Sequence, residues 1–193
     1  MISLESKKTH INQLIERCKL NDKNAQMLVY NSYYKAMFNT SFRILKDEFE
    51  AEDIMQEAFL TAFTKLDTFK GEVTFGAWLK RIVINKSLTQ LKKNNRYDEV
   101  KMEVISNDSL DEEETNINYN SLDVKYVLRT IQQLKDNYRI VLNLNLIEGY
   151  DYEEIAQILN YTNENVRTTV SRAKKKLKQI LLSETNKTQV YGG

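Results

Sequence analysis

Apolar residues in this chain recur chiefly at intervals of three and four, the period of helices that bury one face. Over residues 10–20, Ile11, Leu14, Ile15 and Cys18 share a side and predict a short helix. Asp22 or Asn21 can cap the next helix, which the pattern carries to about Leu45. There Ala25, Leu28, Val29, Tyr33, Met37 and Ile44 are joined by a second set, Tyr30, Tyr34, Phe38 and Phe42. An apolar surface that wide suits a central helix contacted by several others. The cleanest period runs from about Phe49 to Leu66, where Ala51, Ile54, Met55, Ala58, Phe59, Ala62, Phe63 and Leu66 form an inner face. Residues 67–74 interrupt it as a loop, with Gly71 at the turn and Thr74 placed to cap a fourth helix. That helix, Phe75 to about Lys93, gathers Leu79, Val83, Ile84, Leu88 and Leu91 on one side.

The period then stops. Residues 94–121 hold Ser106-Asn107-Asp108 and the run Asp111-Glu112-Glu113-Glu114, and read as a flexible acidic linker. Ser121 can cap a helix through Val124, Val127, Leu128, Ile131 and Leu134. Asn137 to Ile147 predicts another, with Ile140, Val141, Leu144 and Ile147 inward. Tyr150 to Leu182 then spells two helices joined by a tight corner. Asp151 caps the first, with Glu154 three residues on to close a capping box, and Asn160, tolerant of positive φ, ends it. Thr162 caps the second, whose Val166, Val170, Ala173 and Leu177 make one apolar stripe. Its opposite face carries Glu164, Arg167, Thr168, Ser171, Arg172, Lys175 and Lys178. Ala156 is small where two steeply crossing helices need their backbones close. This is the pattern of a helix-turn-helix, whose second helix can enter a major groove. Ser183 to Gly193 reads as a frayed tail.

Composition sharpens this picture without redirecting it. The chain has no Pro and five Gly in 193 residues, which favours helices interrupted by polar corners. The net charge of +1 conceals an asymmetry: residues 1–93 carry 15 Lys/Arg against 11 Asp/Glu, residues 94–121 carry 2 against 8, and residues 122–193 carry 11 against 8. Two mildly basic blocks flanking an acidic connector suit a two-domain nucleic-acid binder. Cys18 stands alone, so neither a disulfide framework nor a Cys/His zinc site is expected, and a reducing cytoplasm is the simplest compartment. His10 is the only histidine, which removes histidine-based triads and most catalytic metal sites. No apolar run approaches the roughly 18 residues needed to span a bilayer, and the polar N-terminus is no signal peptide. An all-α protein is expected, with two small helical domains and neither membrane insertion, cofactor, metal nor small-molecule substrate.

Three exposed stripes carry candidate chemistry. On the third helix, Asp53, Gln56, Glu57 and Leu60 put acids and an amide beside an exposed leucine, which suits a solvated face or, taken together, a docking surface for a basic partner helix. On the fourth, Trp78, Arg81, Asn85 and Lys92 share a side, with Lys86 and Lys93 nearby: aromatic, guanidinium, amide and ammonium groups are the parts that hold bases and phosphates. Phe69, beside Lys70, suits two roles equally, stacking on a flipped nucleotide or plugging the domain core. On the last helix, small polar residues come early and Arg172, Lys174, Lys175, Lys176 and Lys178 come after them. A solvated amphipathic hairpin would also be polar outside. The order favours DNA, because base edges need short or bidentate donors at the helix start and phosphates need cations along its length.

Across nearly its whole length the chain resembles bacterial sigma factors of the extracytoplasmic-function group, in the sigma-70 family. Ala51-Glu52-Asp53-Ile54-Met55-Gln56-Glu57-Ala58-Phe59 looks like the polymerase-docking helix of region two. Phe75-Gly76-Ala77-Trp78-Leu79-Lys80-Arg81-Ile82-Val83-Ile84-Asn85 looks like its melting and recognition helix. Glu148 to Ala156 with Val166 to Leu177 looks like region four. The resemblance implies a non-enzymatic subunit that gives core RNA polymerase its promoter specificity. Residues 1–93 would be region two, 94–121 the linker, 122–183 region four and 184–193 a tail. Asp53, Gln56, Glu57 and Leu60 would face the clamp of the largest catalytic subunit, and the flap of the second would be a further polymerase contact. Phe69, Lys70, Gly71, Trp78, Arg81, Asn85 and Lys86 would engage the minus-ten element and capture an unstacked base. Glu164, Arg167, Thr168, Ser171, Arg172, Lys174 and Lys175 would read or anchor the minus-thirty-five element. The linker would thread the polymerase channel, and an anti-sigma factor is a candidate partner.

The chain departs from the family pattern at three places. Lys135 comes after Leu134 where Pro is frequent, Asn160 stands where Gly is common, and Thr169 replaces a frequent Arg of the recognition helix, so a contact from that position is in question. Two other readings compete. A helix-turn-helix regulator with a helical sensor domain would leave the docking stripe and the Trp78–Asn85 stripe unexplained. An all-α phosphohydrolase would use Glu52, Asp53 and Glu57 on Mg²⁺, but no second helix supplies matched acids.

Overall fold

The computed structural model describes residues 4–94 and 124–190. Most of the expected acidic linker, the Ser121 cap and the last residues of the tail lie outside them. The chain divides into two compact units, Met1–Asn94 and Asn95–Gly193. All regular elements among the described residues are helical, as the periodicity predicts.

The first unit contains α1 (Leu4–Lys19), α2 (Lys23–Leu45), α3 (Glu48–Thr64), a 3₁₀ turn (Leu66–Thr68) and α4 (Phe75–Lys93). Its corners are made by short polar residues. Of the two candidates before α2, Asp22 is the cap, accepting from the backbone N–H groups of Asn24 and Ala25, while Asn21 takes the left-handed φ of 59° that turns the chain. Lys46 (φ 62°) and Asp47 divide the same two tasks before α3, where the Asp47 carboxylate accepts from Glu50 N at 3.0 Å. Thr74 caps α4 by accepting from Ala77 N at 3.2 Å.

Helix α2 packs against α1, α3 and α4 at once. Ala25, Val29, Met37, Ile44 and Leu45 are buried in it, each large aliphatic side chain contributing about 1.5–3 kcal/mol. Leu28, expected on that face, is 48% exposed, because the stripe set by Ala25, Val29, Ser41 and Ile44 turns it outward. Ser41 and Ser87 meet inside the core at 2.9 Å. Ser87 also donates to the Val83 carbonyl at 2.8 Å, which leaves Ser41 as the donor between the two hydroxyls. Small hydroxyls here let α2 and α4 approach closely with both side-chain oxygens satisfied. Tyr33 lies against Phe75 and Ser41 against Ser87, so α2 and α4 run parallel. Glu50 accepts from Asn94 (2.6 Å) and Glu57 from Lys86 (3.1 Å), so α3 runs antiparallel to α4.

The second unit contains α5 (Val124–Gln133), α6 (Asp136–Leu142), a π-helical turn (Asn143–Ile147), α7 (Tyr152–Leu159) and α8 (Asn163–Val190). Helix α8 packs against α5, α6 and α7. The single helix expected from Asn137 to Ile147 changes pitch at Asn143, and Leu142 and Asn143 join Ile140, Val141 and Leu144 inside while Ile147 is only half-buried. Asn143 accepts from Gln132 at 3.5 Å, and Glu148 N reaches back to the Asn143 carbonyl at 2.9 Å. Arg139 is 1% exposed and donates to Asp136 at 2.8 Å, so a residue that reads as surface charge sits in the core. The backbone stays helical to Val190, through most of the stretch expected to fray, because no Pro or Gly stops it before Gly192.

Two of these contacts can be tested by substitution. The Ala25 backbone N–H, and then the Arg17 guanidinium, hold the Asp22 carboxyl below its ordinary value of 3.8. A lowered folded-state value means that the stabilisation is complete above 3.8 and is lost as pH falls through the lower folded value. Thermal unfolding of the wild-type chain and Asp22→Ala should therefore show a Tm gap that is steady near neutrality and narrows in acid; a gap independent of pH would refute this. A Cβ on Gly76 would lie 2.8 Å from Tyr33 Cε1. Gly76→Ala should destabilise by about 1 kcal/mol, overpacking outweighing helix propensity. In a Tyr33→Leu background the same change should become neutral or stabilising in denaturant titrations.

Candidate nucleic-acid interface

The first unit presents two of the three stripes on neighbouring helices. On α3 the buried run Ala51, Ile54, Met55, Ala58, Phe59 and Ala62 turns Asp53, Gln56, Glu57 and Leu60 to the surface, with Leu60 69% exposed. Glu52 accepts from Gln56 at 3.3 Å along the same helix. Acids in the first turn, Glu48 and Glu50, also complement the helix dipole. A bulky apolar side chain in an acidic surround is a surface that can dock a basic, partly apolar partner.

On α4 the burial of Leu79, Val83, Ile84, Ser87, Leu88 and Leu91 decides what is left outside. Asn85 is exposed, whereas Arg81, Lys86 and Trp78 are half-buried. Phe69, Phe75 and Trp78 form a ring cluster with centroids 5.4–5.7 Å apart, and Tyr33 meets Phe75 edge-on at 5.6 Å. Phe69 and Trp78 are thus packed against the core while keeping part of each ring open. Of the two roles open to Phe69, the structure shows the plug, with a remaining open edge beside exposed Lys70 and Gly71. Gly71 has φ 77°, a left-handed value that favours glycine, and turns the loop directly after Lys70. Tyr33 is the member that sequence reasoning assigns only to the core of α2. The available signal is Gly76, a glycine inside a helix, which marks a close approach. Burial pushes the Tyr33 phenol pKa up.

Lys86 donates to Glu57 Oε2 at 3.1 Å, joining the exposed stripe of α4 to that of α3. Sequence spacing keeps these residues 29 apart and does not pair them. Among the described residues, no group of three or more His, Cys, Asp or Glu side chains is arranged to hold a metal ion. Glu52, Asp53 and Glu57 therefore form no such group.

In the second unit the corner between α7 and α8 is built as the sequence predicts. Asp151 Oδ1 accepts from Glu154 N at 2.8 Å, and Glu154 Oε2 accepts from Asp151 N at 2.9 Å, a reciprocal capping box. Asn160 takes φ 58°, and Thr162 accepts from Asn165 N at 3.2 Å. Val166, Val170, Ala173 and Leu177 are buried, and Leu181 extends the stripe. Glu164, Arg167, Thr168, Ser171, Lys174 and Lys175 are exposed, with Arg172 half-buried at the margin. Arg167 donates to Asn163 at 3.3 Å, which pre-orients its guanidinium. Thr169 is buried and donates to the Asn165 carbonyl at 2.7 Å. It lies three residues after Val166 and four before Ala173, on the flank of the core, so its side chain is not part of the exposed face.

Comparison with known proteins matches both units. Residues 29–97 match the family model Sigma-70 region 2, and residues 125–177 match Sigma-70, region 4. The chain is 30% identical over 180 residues to the RNA polymerase sigma-H factor of Pseudomonas aeruginosa, covering 88% of this chain and 92% of that protein. It is 29% identical over 180 residues to the ECF RNA polymerase sigma factor SigW of Bacillus subtilis, covering 89% and 96%. The fold is similar to that of the sigma factor RpoE in its complex with the anti-sigma factor NepR from Bartonella quintana, with a TM-score of 0.55, 23% identity and coverage of 80% and 95%. The two family models in order, and full-length relatives at this identity, place the helical units described above in one lineage. This chain belongs to the sigma-70 family, in its extracytoplasmic-function group, and is a sigma factor that directs transcription initiation.

Proposed function

We propose that this chain acts without catalysis of its own, as a subunit that docks on core RNA polymerase and brings it to promoter DNA. The observation that carries the reading is the placement of an acid-and-leucine face on α3 beside an amide-and-cation face on α4, in one compact unit. One face suits a basic protein surface, the other a nucleic-acid strand. In this reading Asp53, Gln56, Glu57 and Leu60 contact the polymerase clamp. Asn85, Arg81, Lys86, Lys70 and the open edges of Phe69 and Trp78 hold the minus-ten element, Gly71 shaping the loop. An extruded base repays its unstacking with ring contacts and amide hydrogen bonds there.

The second unit supplies the upstream contact. Thr168 and Ser171 face base edges, Arg167 and Arg172 reach bases or phosphates, Lys174 and Lys175 neutralise phosphates, and Glu164 can accept from a cytosine amino group. Among the described residues no helix is long and apolar enough to cross a membrane, which suits work in the cytoplasm. An anti-sigma factor would act by covering the same exposed faces. The domain division at residues 1–93, 94–121 and 122–183 remains part of this proposal.

Run-off transcription from a fragmented genome with purified core polymerase tests the reading: discrete transcripts should appear only when the chain is added. Core binding without transcripts, or tight operator binding by the free chain, would count against it. Asn85→Ala should impair promoter opening while leaving core affinity intact. Arg172→Ala should weaken upstream binding across sequences by about 1 kcal/mol or less at moderate salt. Leu60→Ala should cut core affinity about tenfold, the effect of losing a buried leucine at an interface. Equal loss of core binding in all three variants would overturn the division of roles.

A further inference from the structure

A cleft of about 230 Å³ lies between α3 and α4, with Glu57 on one wall and Asn85, Lys86, Thr89 and Lys93 on the other. Two ammonium groups and an amide on one helix are a donor set for a phosphodiester, beside the Thr89 hydroxyl, which donates to the Asn85 carbonyl at 2.8 Å. The acceptor now facing that set is the Glu57 carboxylate, 3.1 Å from Lys86 Nζ. Its side chain is 60% exposed, against 29% for Lys86, so Glu57 also faces outward on the acid stripe with Asp53. One carboxylate therefore borders both surfaces. It lowers the charge of the cleft from two cations to a net of one, and it stands where an anionic oxygen of a strand would accept the Lys86 hydrogen bond.

We propose that this cleft is a seat for a DNA phosphate that Glu57 occupies in the free chain, and that a basic polymerase surface docking on α3 opens the seat by engaging Glu57. The inference rests on the docking role given to α3 above. The physics needs no movement of the helices. A cation brought to the outer side of Glu57 competes with Lys86 for its lone pairs and neutralises its repulsion of phosphate. Docking and DNA binding thereby favour each other, and reciprocally so.

A phosphate contact is independent of sequence, so the free chain can be tested with a labelled mixed-sequence single strand, monitored by fluorescence anisotropy across a salt series. Glu57→Gln should tighten binding about two- to fivefold, the range of an exposed ion pair. It should also steepen the salt dependence by about 0.7, the value of one added contact on a single strand. Lys86→Gln should abolish that gain in the double variant. Glu52→Gln, which makes the same charge change away from the cleft, should not reproduce it. No gain in Glu57→Gln, a gain that survives Lys86→Gln, or an equal gain in Glu52→Gln would overturn the phosphate seat. Core polymerase titrated with the same variants tests the coupling: Glu57→Gln should dock more weakly, and unchanged docking would overturn it. Absence of core binding by the wild-type chain would instead sink the docking role of α3, while the free-chain result would still decide the seat.

Discussion

The first unit depends on α2 serving three neighbours at once. An ordinary surface helix buries one stripe; α2 must offer apolar or small side chains over most of its circumference to satisfy α1, α3 and α4. Aromatic side chains provide the breadth, and the Ser41–Ser87 contact provides the closeness, because two larger residues there would separate α2 from α4. With α2 as the shared wall, α3 and α4 lie antiparallel and are fastened at two levels, Glu50 to Asn94 and Glu57 to Lys86. The outer faces of α3 and α4 are left to solvent because the inner faces are engaged in the core.

That arrangement has an electrostatic consequence. Acid and base stripes on adjacent antiparallel helices must meet somewhere, and they meet at Glu57 and Lys86. An exposed pair of this kind contributes little to stability. Its importance is positional, since it sets the charge displayed where the α3 and α4 stripes meet. The aromatic cluster is governed by packing instead: Tyr33, held by Gly76 and Phe75, fixes the tilt of the rings that present Phe69 and Trp78.

The second unit solves a different problem with the same materials. One long helix, α8, carries its exposed polar and basic face, and the other elements hold that helix in place. The capping box, the left-handed Asn160 and the Thr162 cap define the corner, and α5, α6 and α7 cover the inner stripe. Arg139 and Asn143 show that this small core is not purely apolar. A buried guanidinium is costly to leave without a counter-charge, and Asp136, one turn earlier on the same helix, supplies one.

Local chemistry was legible in the chain wherever the cause was local. Caps, corners and inner stripes depend on residues within one or two turns, so Asp151, Asn160, Thr74 and the face of α3 could be read from spacing; the burial of Thr169 has the same local cause, its spacing from Val166 and Ala173. The exposed stripes were legible for the same reason, as complements of the buried ones. Contacts between helices were not. The pairing of Glu57 with Lys86, the packing of Tyr33 on Gly76, the outward turn of Leu28 and the burial of Arg139 all depend on helix rotation and direction, which long-range packing decides. Sequence by itself determined which residues could face a partner; tertiary structure decided which of them face one another, because only the packed core fixes the angle between their helices.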